Sequence, residues 1–254
     1  MIPPLFLEAS CFLLGLVIGS FLNVVIARLH DGRSIIRPPS ACPACGGLIR
    51  WYDNVPLLSW LWLRARCRNC QVRISWRYPT VELLTAILFM LAARRFGPAL
   101  DLGVALLLLA ALVAIAGIDL DQQIIPDVIT LPGIVVGAGL TVALHPAAWL
   151  DAVLGILVGG GLFLVIILAS RGGMGGGDMK LGAMIGAFLG WQLVLLAILL
   201  GVFAGGAVAI GLLITGTRGR KDAVPFGPFL ALGAVVSLLW GHDILAWYLN
   251  RFVQ

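Results

Sequence analysis

Charge is what this chain has least of: only 11% of its 254 residues are Asp, Glu, Lys or Arg, while 61% are hydrophobic. A soluble domain carries about 25% charged residues. So few charges cannot cover a water-facing surface, which excludes a soluble globular domain and leaves an all-α polytopic membrane protein. A basic n-region is also missing. The start, MIPPLFLEAS, holds no Lys or Arg and is interrupted by Glu8, so the first apolar run is expected to remain as a transmembrane helix rather than leave as a signal peptide. The glycine-rich stretch RGGMGGGDMK lacks the lysine–serine/threonine ending of a P-loop and a strand–helix nucleotide unit, which argues against phosphate binding.

What is abundant is glycine, 32 residues, which suits close packing of helices that lack a hydrophobic driving force to associate in lipid. Apolar runs predict about eight spans: residues 5–29, 79–93, 102–118, 128–144, 152–170, two within 181–217, and 229–249. The turn inside 181–217 falls at Gly190–Trp191–Gln192 or at Gly201. Asn23 is a candidate for bonding across helices.

Residues 30–78 form the one sizeable polar segment, with Arg33, Arg37, Arg50, Arg64, Arg66, Arg68, Arg73 and Arg77 against Asp31 and Asp53. That excess predicts a cytoplasmic loop. Residues 118–127, 171–180 and 218–227, the last with Arg218, Arg220 and Lys221, then fall on the same side. Arg94 and Arg95 run against the trend. The net charge of +5 therefore expresses topology, and the tryptophans among the arginines are expected to rest against lipid headgroups; no nucleic-acid partner is expected. The resulting division is 1–29 as first transmembrane helix, 30–78 as a metal-bound module, and 79–254 as the membrane domain.

Four of the five cysteines lie in that segment as CPAC and CRNC, Cys42, Cys45, Cys67 and Cys70, with the pattern C-x2-C-x21-C-x2-C. This spacing suits a closed, tetrahedral, structural zinc site. Redox-active CxxC pairs and an iron–sulfur cluster are the alternatives. Cys11, in an apolar run, is expected to be a small buried side chain.

Acidic residues are scarce, and two stretches set them between apolar runs: Gly117 to Asp127, with Asp119, Asp121 and Asp127, and the glycine-rich stretch with Asp178 and Lys180. Carboxylates are expensive in hydrocarbon and mark sites there. On these residues alone three readings stand. Asp119 and Asp178 form a pair that shares a proton and activates water, or the acids are interfacial caps, or they line a cation or proton path. Asp127 is expected to cap the following helix, Asp121 to face water, and Lys180 to balance a nearby charge.

Taken in order, GSFLNVVIARL at residues 19–29, CPAC, Asn54, Pro56, Leu58–Ser59–Trp60, CRNC, RYPTVE at residues 77–82, Ile118–Asp119, Ile125–Pro126–Asp127 and GGGD at residues 175–178 with Lys180 resemble the bacterial type IV prepilin peptidases. The resemblance spans nearly the whole chain. It implies an inner-membrane aspartic protease facing the cytoplasm, with Asp119 and Asp178 catalytic. Its substrates would be type IV prepilins or type II secretion pseudopilins, cut after the glycine that ends a basic leader. The new amino terminus would then be methylated from S-adenosylmethionine, an activity that goes with the cysteine-containing loop. Asp127, Lys180 and Glu82 are candidates for supporting the site or the substrate, Glu82 for a leader lysine or the new amine. No methyl-donor motif is recognisable, and the residues carry no signal for or against self-association.

Overall fold

The computed structural model describes residues 3–29, 32–169, 175–215 and 225–252. Expectations placed on His30, Asp31, Ser170, Arg171, Gly172, Gly173, Arg218, Arg220 and Lys221 lie outside the described residues. The chain is helical, with two isolated β-bridges and no longer strand pairing among the described residues. It divides into two compact units, Met1–Ala114 and Ile115–Gln254.

The first unit is built on a helix pair, α1 (Pro4–Arg28) and α3 (Arg77–Phe96), with the short α2 (Leu58–Trp62) between them in sequence. α1 and α3 meet backbone to backbone. A Cβ on Gly15 would lie 2.5 Å from Ala86 Cα, and one on Gly19 would lie 2.7 Å from Glu82 Cα. Small residues permit this approach, and dispersion across it holds helices that the lipid itself does not drive together. Asn23 bonds across the pair as expected, its Nδ2 donating to the Tyr78 carbonyl at 3.0 Å. At the other end Arg94 pairs with Glu8 at 3.5 Å, so one of the two arginines that run against the charge trend has an acidic partner on α1.

α4 (Leu100–Gln122) carries the chain across the division between the units. The second unit continues with α5 (Asp127–Leu144), α6 (Trp149–Ala169), α7 (Gly176–Ile214) and α8 (Gly227–Phe252). α7 is 39 residues long but is broken at Gly190, with φ 78° and ψ 175°. Only glycine adopts that region without strain. The chain doubles back there. A Cβ on Gly159 would touch both Gly182 and Val194, residues on opposite sides of the break that a straight helix would hold about 18 Å apart. Asp151, in the first turn of α6, accepts the Trp191 N–H at 3.4 Å. Gly201, the other candidate for the turn, instead packs against Leu230 of α8, with a Cβ contact of 3.1 Å.

Six described helices are long and apolar enough to cross a membrane: α1, α4, α5, Pro146–Ala169, α7 and α8. The molecule is an all-α polytopic membrane protein.

Candidate active site and metal centre

The cysteine segment folds as two matching knuckles. In the first, the Cys42 N–H donates to the Gly47 carbonyl and the Gly46 N–H returns to the Cys42 carbonyl, both at 2.9 Å. In the second, the Cys67 N–H donates to Val72 at 2.9 Å and the Gln71 N–H to Cys67 at 3.0 Å. An antiparallel bridge closes each, Ala41 with Leu48 and Arg66 with Arg73. The equivalent corner residues, Gly46 and Gln71, both take positive φ, 68° and 59°.

The four Sγ atoms all lie within 4.8 Å of one another, and Cys42 and Cys70 are 3.8 Å apart. Thiolates about 2.3 Å from a central ion at tetrahedral corners stand roughly 3.8 Å apart, so the cluster has the dimensions to coordinate a metal ion. Amide hydrogen bonds from Cys45 and Ala44 outweigh desolvation and lower the Cys42 thiol to about 7. At Cys70 the Val72 amide is instead outweighed by desolvation and the other three thiols, which raise it to about 11, so the crowded thiols share their protons unequally.

The acidic site belongs to the second unit. Asp119 lies one turn from the end of α4 and is only 5% exposed. Its Oδ2 accepts the Gly227 N–H at 2.9 Å, an amide at the first turn of α8, where helix N-termini favour negative charge. The approach is so close that a Cβ at position 227 would lie 2.6 Å from that oxygen. Phe226, just before, meets Phe163 of α6 edge-on with ring centroids 5.9 Å apart, which holds the turn that presents the amide.

Asp178 stands in the first turn of α7. It is within electrostatic range of Asp119, and its Oδ1 is buried without a hydrogen-bond donor among the described residues. Two contacts tie the start of α7 to the Asp119 stretch. A Cβ on Gly177 would lie 2.8 Å from that of Ile125, and Lys180 Nζ donates to both oxygens of Asp127 at 2.7 Å.

Asp127 therefore differs from its expected role. Pro126 occupies the cap position, with no side-chain cap bond, and Asp127 lies within the first turn of α5. Its carboxylate is taken up by Lys180 instead. Asp121 is exposed, as expected. Glu82 is a first-unit residue, 7% exposed, and its Oε2 accepts the Leu57 N–H at 2.8 Å while Ser20 donates to the same carboxylate. In this structure it fastens the loop before α2 to α3.

Gly227 is the residue that sequence reasoning passed over. Pro225–Phe226–Gly227–Pro228 reads as the close of a loop, and only the bond to Asp119, 108 residues away, gives it a place in the site.

Residues 13–96 match the bacterial peptidase A24 N-terminal domain, and residues 106–210 match the type IV leader peptidase family. A prepilin leader peptidase/N-methyltransferase of Aeromonas hydrophila is 40% identical, over 95% of this chain and 93% of the relative. The chain belongs to this family. The protein of that name from Myxococcus xanthus (strain DK1622) is 48% identical over 86% of this chain and 67% of its own length. The one from Pseudomonas aeruginosa is 38% identical over 97% and 95%. No solved structure matches the chain. Members of this family combine leader cleavage with N-methylation, and this chain is such a bifunctional enzyme.

Proposed function

We propose that this bacterial inner-membrane, multi-pass enzyme removes the leader from prepilins or pseudopilins at a site built on Asp119 and Asp178, and methylates the amino terminus that cleavage exposes. The activity rests on family membership. The observation that carries the site assignment is the asymmetry of the two carboxyls: Asp119 accepts a helix-terminal amide, and the half-buried Asp178 keeps one buried oxygen without a donor among the described residues.

Two neighbouring carboxyls in a dry setting share one proton more readily than they both ionise. Asp119, whose charge the Gly227 amide stabilises, acts as base and takes a proton from the attacking water. Asp178 holds the shared proton and delivers it to the leaving amine as the C–N bond after the leader glycine breaks. Lys180 and Asp127 fix the start of α7 against the Asp119 stretch and keep the two carboxyls in register.

The four cysteines hold a structural zinc ion. Four protein thiolates leave no open coordination position, so the ion braces residues 30–78 and takes no part in cleavage. S-adenosylmethionine is the methyl donor and a second substrate. The membrane is crossed eight times, by α1, α3, α4, α5, α6, the two arms of α7, and α8. The cysteine module and both catalytic carboxyls face the cytoplasm. Residues 79–254 form the protease domain.

The test is cleavage of a purified prepilin in detergent by the Asp119→Asn and Asp178→Asn variants. If both variants still release the leader at the wild-type rate, the pair is not catalytic.

A further inference from the structure

The module between α1 and α3 carries an outward-facing apolar patch. α2 reads LSWLW, and Leu58 is 64% exposed, Leu61 63% and Trp62 82%. Its depth relative to the membrane follows from a hydrogen bond. Leu57, directly before α2, donates its N–H to Glu82 at 2.8 Å, and Glu82 is packed against Gly19 of α1. Gly19 lies about 13 Å short of the Arg28 end of that helix at a rise of ~1.5 Å per residue. From Glu8, paired with Arg94, to Arg28, α1 rises about 30 Å, the thickness of a hydrocarbon core. A glutamate side chain reaches much less than 13 Å. The start of α2 is therefore held below the level of Arg28, inside the boundary that Arg28 marks.

Charge supplies a second, independent observation. Arg66 and Arg73 stand opposite each other across an antiparallel bridge, and both are exposed. Side chains at such positions face the same way, and like charges there repel. Asp53 is the one acid among residues 32–78, and Arg68 already holds it through two bonds of 2.6 and 2.8 Å. No further acid within residues 32–78 is left to answer the arginine pair.

We propose that α2 and the Arg66–Arg73 knuckle form a membrane-interface anchor. Leu58, Leu61 and Trp62 enter the boundary between acyl chains and headgroups, and the two arginines bind the phosphates of anionic phospholipid. An amphipathic body with a cationic flank is the composition that lies in this layer. The zinc module is then gripped twice, by protein through Glu82 and by lipid through α2. This holds whether or not Asp119 and Asp178 are catalytic.

The test uses the full chain in nanodiscs of phosphatidylcholine alone or with a third phosphatidylglycerol, with lipid brominated at shallow acyl carbons. The fluorescence of Trp62 is read as the difference between the wild type and Trp62→Phe. Zinc content and prepilin cleavage of each variant report an intact fold. The expected result is that more than half of the Trp62 signal is quenched in the anionic bilayer. Quenching should be weaker in phosphatidylcholine alone and in the Arg66→Ala/Arg73→Ala double variant. A Trp62 signal that escapes quenching overturns the anchor. Quenching that is indifferent to both lipid charge and the arginines overturns the anionic contact.

Discussion

The cysteine cluster and the aspartate pair are both small constellations, but their local structures are opposite. Around the thiols everything is duplicated: two CxxC arms, two matching amide bonds in each, two bridges, and four sulfur atoms within 4.8 Å of one another. Around the carboxyls nothing is duplicated. Asp119 accepts an amide from the start of α8, while Asp178 has a buried oxygen without a donor among the described residues. Near-symmetry suits an ion that needs four equal ligands and no reaction. Asymmetry suits a pair in which one member takes a proton and the other gives one.

The sharpest way to break this contrast is to remove one carboxyl. Asp178→Asn is expected to lower leader cleavage by about 10²- to 10⁴-fold, the usual contribution of a positioned acid or base. Methylation of a pilin supplied already cleaved should stay within about twofold. A parallel fall in both activities would mean that the substitution disrupts the fold.

The converse change is Cys67→Ser. Loss of one ligand should empty the metal site, read as zinc per chain, because metal binding and local folding are one equilibrium. Methylation is expected to fall by at least about tenfold and cleavage by less, since the thiols and the carboxyls belong to different compact units. Variants that hold zinc and methylate normally would remove the cluster's role.

Gly227→Ala tests the asymmetry itself. Alanine keeps the N–H, but its methyl would collide with Asp119 Oδ2 and displace the bond. A hydrogen bond to a charged group contributes about 1.5–3 kcal/mol, so cleavage kcat should drop about 10- to 100-fold with KM little changed. A change confined to KM would show that the amide binds substrate rather than positioning Asp119.

The smallest effect is expected from Lys180→Met. Lys180 is 30% exposed and its partner Asp127 55%, and such pairs contribute only about 0.2–1 kcal/mol. Cleavage should fall by less than about fivefold. A larger loss, greatest at low salt and shrinking as salt rises, would place Lys180 on the substrate.

Much of this was legible in the chain because it is local. The two CxxC arms declare their ligand set by spacing, and Asp119 and Asp178 stand out because acids are rare between apolar runs. Within residues 181–217 the sequence offers two glycine positions for the turn, and physics separates them: Gly190 takes a positive φ beside Asp151, while Gly201 is a packing contact with α8. What was not legible depends on long-range contact. An aspartate before an apolar run looks like a cap until a lysine 53 residues later takes its carboxylate. Gly227 is an ordinary loop glycine until its amide meets Asp119. Arg94 violates the charge trend until Glu8 answers it across a glycine-lined helix pair.

The break at Gly190 has one more effect. The first arm of α7, residues 176–189, is about 21 Å long at ~1.5 Å per residue, whereas a relaxed hydrocarbon layer is about 30 Å thick. If the arm crosses on its own, as proposed, that hydrophobic mismatch would thin the bilayer around it or sink the arm's end beneath the surface. Asp178 sits in the first turn of the short arm, so on the proposed mechanism a scissile bond would reach it through a local dent in the membrane. Leader cleavage should then slow progressively as acyl chains are lengthened, making lipid thickness a physical control on the enzyme.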